Sequence, residues 1–271
     1  MPFLLTNANP TGETFMTPEN VGPLRSPEET IADAIERYGR VALAFSGGME
    51  SLLLLELARP HRDRVTVIWT NTGAMFPHMV DFIREATRGF DFVEARSDVR
   101  ASFGKDGFPA KALPVANTRD GALGLRKLDG PLVRSFLECC MTNRMVPLYR
   151  TVEQMHLTGV INGQRAADFG IPANRVFVSP EDSRPLEIVT PLWGMTRQEV
   201  RQRLDAAHVT LPSHYAEISD SLECWACTQE FAGRADWMRR TYPELASIVG
   251  PFASDIEERV IAALSVKPKK D

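Results

Sequence analysis

The segment Val41–Phe45 is a short, continuously apolar run that leads directly into a glycine-rich turn and then into a second apolar stretch. Runs of this length and composition are typical of strands buried on both faces, as in parallel sheets. The alternation continues, with strands predicted at 65–69 and 90–95 and helices at 52–58 and 77–88. We therefore predict an α/β fold built on a doubly wound, mostly parallel sheet.

Composition along the chain divides it into three predicted parts. Residues 1–25 are rich in Pro, Asn, Thr and Gly and are expected to form an irregular N-terminal arm. Residues 26–228 make up the α/β domain, and residues 229–271 a helical C-terminal extension with breaks near Pro243 and Pro251.

Local patterns predict individual elements within the domain. Ser26 and Thr196 each begin a helix through a capping box with a glutamate three residues later. Segments 176–178 and 186–189 flank a turn-rich stretch and are predicted to pair as a hairpin. Residues 97–136 show scattered Gly and Pro without a clear period, and we interpret them as an irregular insertion.

The turn after the first strand carries residues suited to phosphate binding. Gly47 and Gly48 let the backbone approach a phosphate, and the N–H groups at the start of the following helix point at it. Ser46 and Ser51 add hydroxyl donors. A plain glycine-rich turn is the alternative, and a Walker loop is excluded because the Gly-Lys-Ser/Thr ending is missing. We favour phosphate binding.

All four cysteines of the chain occur in two close pairs. Cys139 and Cys140 are adjacent, and Cys224 and Cys227 form a Cys-x-x-Cys. Four thiolates can hold a [4Fe–4S] cluster or a structural zinc ion. Neighbouring cysteines rarely reach one small tetrahedral ion without strain, so we favour the cluster over zinc, disulfides or unliganded thiols.

Bulk composition narrows the class of protein. The net charge of −4 argues against a general nucleic-acid-binding surface. No apolar run approaches the ~18 residues of a membrane span, and the N-terminus does not resemble a signal peptide. A secreted disulfide scaffold would be shorter and richer in cysteine, so we expect a cytoplasmic protein.

Five segments follow one another in the order found in the sulfonucleotide reductase family of the adenine nucleotide α-hydrolase superfamily. The loop at 46–51 resembles that superfamily's pyrophosphate loop. Residues 71–77 resemble the family's Asn-Thr-Gly-x-x-Phe-Pro, and residues 139–148 its Cys-Cys-x-x-Arg-Lys-Val-x-Pro-Leu. Segments 163–165 and 191–192 resemble its substrate-arginine loop and its Pro-Leu segment. The chain is similar to adenylylsulfate or phosphoadenylylsulfate reductases over most of its length.

The resemblance implies roles at a nucleotide site. Thr72 and Gly73 are expected near the adenosine, and Arg144 and Arg165 are expected to supply positive charge to phosphate or sulfate oxygens. Glu50 has two equal interpretations, positioning Mg²⁺ or interacting with the helix dipole. The residues expected to bind the phosphates are Ser46, Gly47, Gly48 and Ser51.

The resemblance also implies cofactors and partners. The expected ligands are a [4Fe–4S] cluster and an adenine nucleotide, either ATP or a sulfonucleotide. An electron or sulfur donor protein and a nucleic-acid acceptor are candidate partners, and a homo-oligomer is the expected assembly. The expected cluster ligands are Cys139, Cys140, Cys224 and Cys227.

One departure from the family bears on the reaction. Sulfonucleotide reductases carry a nucleophilic cysteine in a C-terminal tail, whereas this sequence has no cysteine after Cys227. Three classes of function therefore stay open. They are a reductase-like enzyme acting on a sulfonucleotide, an ATP pyrophosphatase that transfers sulfur to a nucleic acid or metabolite, and a non-catalytic nucleotide-binding or assembly protein.

Overall fold

The computed structural model describes residues 25–110, 133–169, 175–178 and 185–265. They divide into two compact units. The first contains the described residues up to Ile68 together with Thr87–Val93 and Thr151–Thr210. The second contains Trp69–Ala86, Glu94–Arg150 and the described residues from Leu211 onward. The predicted arm at 1–25 lies, except for its last residue, outside the described residues.

Six of the described strands form one sheet in the order β3-β2-β1-β6-β8-β7. The strands β1 and β6 are parallel, as are β6 and β8, whereas β7 and β8 are antiparallel and form the predicted hairpin. These relations confirm the predicted α/β class with a mostly parallel sheet. The strands are β1 Val41–Phe45, β2 Val65–Asn71, β3 Asp91–Arg96, β6 Gly159–Ile161, β7 Arg175–Val178 and β8 Pro185–Val189.

The strand order reverses direction between β1 and β6. From β1 the chain proceeds outward through β2 to β3, and from β6 it proceeds outward on the other side to β8. In open α/β sheets, ligands bind beyond the carboxyl ends of the strands at such a reversal. The loops that follow β1 and β6 both lie in the first unit, and they occupy this position.

Helices of the first unit follow their sequence signals closely. Helix α1 begins with the predicted capping box, in which the Glu29 N–H donates to the Ser26 Oγ at 3.1 Å. Helix α2 is apolar on nearly all sides, as expected of a helix inside a core, and Leu52–Leu55 are all buried. The helices are α1 Pro27–Tyr38, α2 Met49–Ala58, α7 Ala166–Phe169 and α8 Arg197–Ala206, with a 3₁₀ turn at Arg59–Arg64.

The second unit is richer in helices and contains a short parallel strand pair. Helix α5 continues through a π-helical turn, Met141–Met145, into α6, which crosses the boundary between the units. The strands are β4 Phe108–Ala110 and β5 Val133–Ser135. The helices are α3 Pro77–Ala86, α4 Val99–Asp106, α5 Phe136–Cys140, α6 Val146–Gln154, α9 Phe231–Thr241 and α10 Pro243–Ser265, with a 3₁₀ turn at Ser213–Ala216.

Two expectations about this unit were wrong in part. The segment predicted to be irregular, 97–136, contains α4, β4 and β5, although residues 111–132 lie outside the described ones. Pro251 does not break the C-terminal helix: α10 continues without interruption through this residue. Gly250, directly before the proline, lies close to Phe231, where an added Cβ would come within 3.2 Å of the ring, so α10 packs against α9 at this point.

Within the described part of the chain, no helix is both long enough and apolar enough to cross a bilayer.

Candidate functional site

The turn between β1 and α2 is a compact loop closed by its two serines. The Ser46 N–H donates to the Ser51 Oγ at 3.3 Å, and the Ser51 hydroxyl donates to the Gly48 carbonyl at 2.9 Å. Gly47 has a φ of +79°, which side-chain-bearing residues rarely adopt. Gly48 caps α2 without a side-chain hydrogen bond. The loop therefore combines glycine backbone with a helix N-terminus, the arrangement that binds phosphates.

The loop after β6 packs tightly against the start of α2. A Cβ on Gly163 would lie 2.9 Å from the Glu50 Cβ and 3.3 Å from the Ser51 nitrogen, so the close approach requires glycine. Arg165 is buried, and its Nε lies 3.3 Å from the Glu50 Oε1. The first unit thus brings Arg165 to the phosphate loop with Glu50 as its ion-pair partner. A role of Glu50 toward Mg²⁺ stays a prediction.

Cys139 and Cys140 are the last two residues of α5. A capping box between Ser135 and Glu138 fixes the start of this short helix. The Cys139 sulfur accepts a hydrogen bond from the Arg134 Nη2 at 3.3 Å, and the Asn143 amide nitrogen lies 3.7 Å from it. The first cysteine pair therefore has polar donors directed at it from its own helix and from the strand before it.

The second cysteine pair lies in a loop that contacts the turn after β2. Cys224 forms an isolated antiparallel bridge with Met75, and the Cys227 N–H donates to the Cys224 carbonyl at 3.3 Å. The buried Thr72 hydroxyl lies 3.0 Å from the Cys224 sulfur. The structure therefore gives Thr72 a cysteine contact, while Gly73 beside it is exposed. Their predicted contacts with a nucleotide stay predictions.

The second unit brings the Cys227 thiol into electrostatic range of the other three thiols. Burial raises the pKa of Cys140 and that of Cys224 to about 12, and the nearby Cys227 thiol adds to both shifts. Burial also raises the pKa of Cys139, where Cys227 again contributes. None of the four forms a disulfide. The second unit thus gathers four unbridged thiols, one buried and three half-buried, from distant parts of the chain.

Comparisons with known proteins identify the family of the chain. Residues 40–230 match the family profile described as the phosphoadenosine phosphosulfate reductase domain. The chain belongs to the phosphoadenosine phosphosulfate reductase family. It is 28% identical over 222 residues to the adenosine 5'-phosphosulfate reductases of Mycobacterium bovis and Mycobacterium tuberculosis, covering 79% of this chain and 80% of each relative.

A solved structure of the same family supports the fold. The phosphoadenylyl-sulfate reductase from Candida auris, solved as a phosphate complex, gives a TM-score of 0.51 at 15% identity. The superposition covers 74% of this chain and 89% of that chain. The resemblance drawn from the sequence motifs is confirmed at the level of family and fold.

The donor set of this reductase-family chain suits an iron–sulfur cluster. Among the described residues, no group of three or more His, Cys, Asp or Glu is close enough to bind a single metal ion. A [4Fe–4S] cubane is different, because each iron takes its own thiolate and the four sulfurs need not converge on one point. Four unbridged thiols, each buried or half-buried, with guanidinium groups nearby fit such a group chemically.

Arg144 lies at this cysteine site and is paired with Glu223. The two side chains form a double contact, Nη1 to Oε2 and Nη2 to Oε1. Burial would lower the pKa of Arg144, but the charges of Glu223, Cys140 and Cys224 raise it above the ordinary value. The sequence analysis missed Glu223, although its position directly before the Cys-x-x-Cys was a usable signal. A contact of Arg144 with substrate stays a prediction.

A second group of titratable residues in this unit connects α3 with the C-terminal helices. The His78 Nδ1 lies 2.8 Å from the Tyr242 hydroxyl, and the His78 Nε2 lies 3.2 Å from the His214 Nδ1. The Trp237 ring packs edge-on against both imidazoles. His78 and His214 are therefore members of an aromatic, hydrogen-bonded cluster.

This histidine cluster predicts acid sensitivity of the fold. Burial lowers the pKa of His214 to about 4, from 6.5 when unfolded, and the neighbouring His78 adds to the shift. A group with a lowered folded-state pKa binds more protons when unfolded, so its stabilising contribution is present above pH 6.5 and is lost as the pH falls towards 4. Thermal unfolding between pH 7 and 4 measures this loss.

The matched variants are His214→Phe and His208→Asn. His214→Phe removes the titrating group and should flatten the pH dependence of the melting temperature between pH 6.5 and 4. His208 is exposed with a φ of 54°, which Asn tolerates, so His208→Asn should keep the wild-type slope. An unchanged slope in His214→Phe would contradict the assignment.

The loop geometry predicts the effect of a branched residue at Gly47. Gly47→Val places a side chain at a φ of +79° and next to the site expected for phosphate. We expect the affinity for ATP and adenylylsulfate, measured by calorimetry, to fall more than tenfold, or at least ~1.4 kcal/mol. Gly39→Val is the control, since Gly39 has a φ of +74° with no neighbouring atom within 4 Å and precedes β1 rather than following it. Equal affinities in the two folded variants would place the phosphates elsewhere.

Proposed function

We propose that this family member binds an adenine nucleotide at its phosphate loop and a [4Fe–4S] cluster at its four cysteines, and that it acts on activated sulfur. The observation that carries the proposal is the gathering of four unbridged thiols, each buried or half-buried, in the second unit. A sulfonucleotide is the favoured nucleotide ligand, because the mycobacterial relatives bear the name adenosine 5'-phosphosulfate reductase. Free thiols also fit a reducing compartment, so we assign the protein to the cytoplasm.

At the nucleotide site, the chain's own residues supply the charge and hydrogen bonds. The backbone of Gly47 and Gly48 admits the phosphates, and the Ser46 and Ser51 hydroxyls reorient from each other to donate to them. Arg165 holds Glu50 when no anion is bound. A phosphate oxygen is the stronger match to its planar guanidinium, so nucleotide binding exchanges one anionic partner of Arg165 for another.

At the cysteine site, Cys139, Cys140, Cys224 and Cys227 would hold the cluster. When bound, a cluster supplies iron–thiolate centres whose properties follow from burial and from hydrogen bonds to sulfur. Arg134 and Asn143 orient the Cys139 sulfur, and the Thr72 hydroxyl orients that of Cys224. Arg144 presents positive charge beside Cys140 and Cys224, close to where an anionic substrate group would be stabilised.

A second candidate function follows from the thiol inventory. The four cysteines are the only thiols in the 271-residue sequence, and burial raises the pKa of each. A buried thiol with a raised pKa is a poor nucleophile, because the reactive form is the thiolate. This favours ATP-dependent sulfur transfer, in which the chain would adenylate an acceptor and release pyrophosphate, as the alternative to reduction of a sulfonucleotide.

Iron content tests the cluster directly. Protein purified without oxygen should be brown and contain about four iron atoms per chain, with broad visible absorption from the thiolate-ligated iron. Cys139→Ser and Cys227→Ser should each lose iron, because one thiolate per iron is removed. Ser247→Ala, an exposed serine of the same unit, should keep it. Colourless protein with stoichiometric zinc would overturn the cluster.

Product analysis separates the two reactions. With thioredoxin as reductant, we expect negligible sulfite release from either sulfonucleotide despite measurable binding, because no thiol outside the four cluster ligands is present to attack sulfur. Pyrophosphate release from ATP with a sulfur donor would support the transferase. Multiple turnovers of sulfite release by the purified chain would contradict the expectation and establish reduction instead.

A further inference from the structure

Arg234 ties the second cysteine loop to helix α9. Its side chain is buried, with only 6% of the residue exposed. The Nη2 atom donates to the Cys224 carbonyl at 2.7 Å and to the Cys227 carbonyl at 3.2 Å, with the Trp225 carbonyl at 3.4 Å. One guanidinium nitrogen thus fixes the backbone on both sides of the Cys-x-x-Cys turn. This backbone determines where the two thiols point.

The charge of Arg234 lacks a carboxylate partner. Within the described residues, no Asp or Glu oxygen comes within ion-pair distance of its guanidinium, which stacks 5.4 Å from the Phe76 ring centre. Burial lowers the pKa of Arg234, and the groups that most oppose this shift are the Cys227 and Cys224 thiols. Its Nε atom is buried without a hydrogen-bond partner. A buried cation is costly unless anions compensate it, and the two cysteine thiols oppose the shift more than the carboxylates of Glu230 and Glu223 do.

The other two arginines at this site differ in this respect. Arg144 forms a double contact with Glu223, so its charge is largely neutralised. Arg134 is also buried, but its Nη1 lies 3.6 Å from the Asp106 Oδ2. Of these three arginines, Arg234 is therefore the one without a carboxylate of the described residues within ion-pair distance.

We propose that Arg234 is a positioning residue of the cysteine site and the principal countercharge of the iron–sulfur cluster. The inference rests on the proposed cluster. Four thiolates on a [4Fe–4S] core in its usual oxidised state form a net dianion, and one added electron makes a trianion. A fixed guanidinium beside Cys224 and Cys227 stabilises both states, and the reduced state more, because the interaction grows with the charge.

The experiment compares three variants purified without oxygen with the wild type. Arg234→Gln removes the charge and retains a donor, Arg234→Lys retains the charge and changes the geometry, and Arg240→Gln removes an exposed charge from the same helix. Iron per chain, the rate of iron release to a chelator, and the midpoint potential followed by electron paramagnetic resonance are measured on each.

We expect the midpoint potential of Arg234→Gln to be more negative than that of the wild type by ~59 mV, which corresponds to a tenfold change in the equilibrium constant for one-electron reduction. Arg234→Lys should keep a potential near that of the wild type but release iron faster, since a lysine cannot span three carbonyls. Arg240→Gln should match the wild type in all three measurements. If Arg234→Gln retains too little iron for its midpoint potential to be measured, iron retention by Arg234→Lys would support the role of the positive charge at this position.

Two results would overturn the inference. An iron-loaded Arg234→Gln with the wild-type potential would show that the charge does not act on the cluster. Loss of iron from both Arg234 variants would show that Arg234 has only a structural role and does not act through its charge. Wild-type protein without iron would instead overturn the proposed function itself, so the two failures are distinguishable.

Discussion

Burial of ionisable groups at the cysteine site is the constraint on which the second unit depends. Burial in a medium of low polarity disfavours the thiolate and raises the pKa of each cysteine, so the thiols stay protonated. Guanidinium groups placed there need anions. Metal binding deprotonates thiols, so the proposed cluster would supply negative charge at the place where the guanidinium groups are buried.

Several elements of this unit are explained by the need to bring the two cysteine pairs together. The π-helical turn Met141–Met145 follows Cys140 directly, and the Val146 N–H reaches back to the Met141 carbonyl because Pro147 cannot continue the ordinary ladder. The widened turn is held from outside, since the Ser97 hydroxyl donates to the Asn143 carbonyl at 2.6 Å. Irregular backbone of this kind is common near functional sites.

Much of the fold was predictable because local signals and tertiary context agree. The bounds of β1 were predicted from an apolar run alone, and capping boxes at Ser26 and Thr196 predicted the starts of α1 and α8. The strands β4 and β5 were missed because three-residue strands carry no readable period. They are stabilised by pairing with each other across a long stretch of sequence, which local patterns do not encode.

Some residues of the candidate site could be predicted from the sequence and others could not. Motif spacing identified the cysteines and the phosphate loop, but nothing in the sequence distinguishes Arg134 or Arg234 from surface arginines. Their burial arises from tertiary packing, and an isolated buried arginine has no sequence pattern of its own.

The two arginines that were predicted, Arg144 and Arg165, share a feature that the motifs did not reveal. Each is paired with a glutamate that is itself next to a motif residue, Glu223 before Cys224 and Glu50 before Ser51. A carboxylate in this position compensates the arginine while no ligand is bound, which lets the cation be buried at low cost. The same carboxylate competes with an anionic ligand for the guanidinium. If the proposed ligands bind at these arginines, the affinity of each site depends on its glutamate as well as on its arginine, because the ligand must replace the carboxylate.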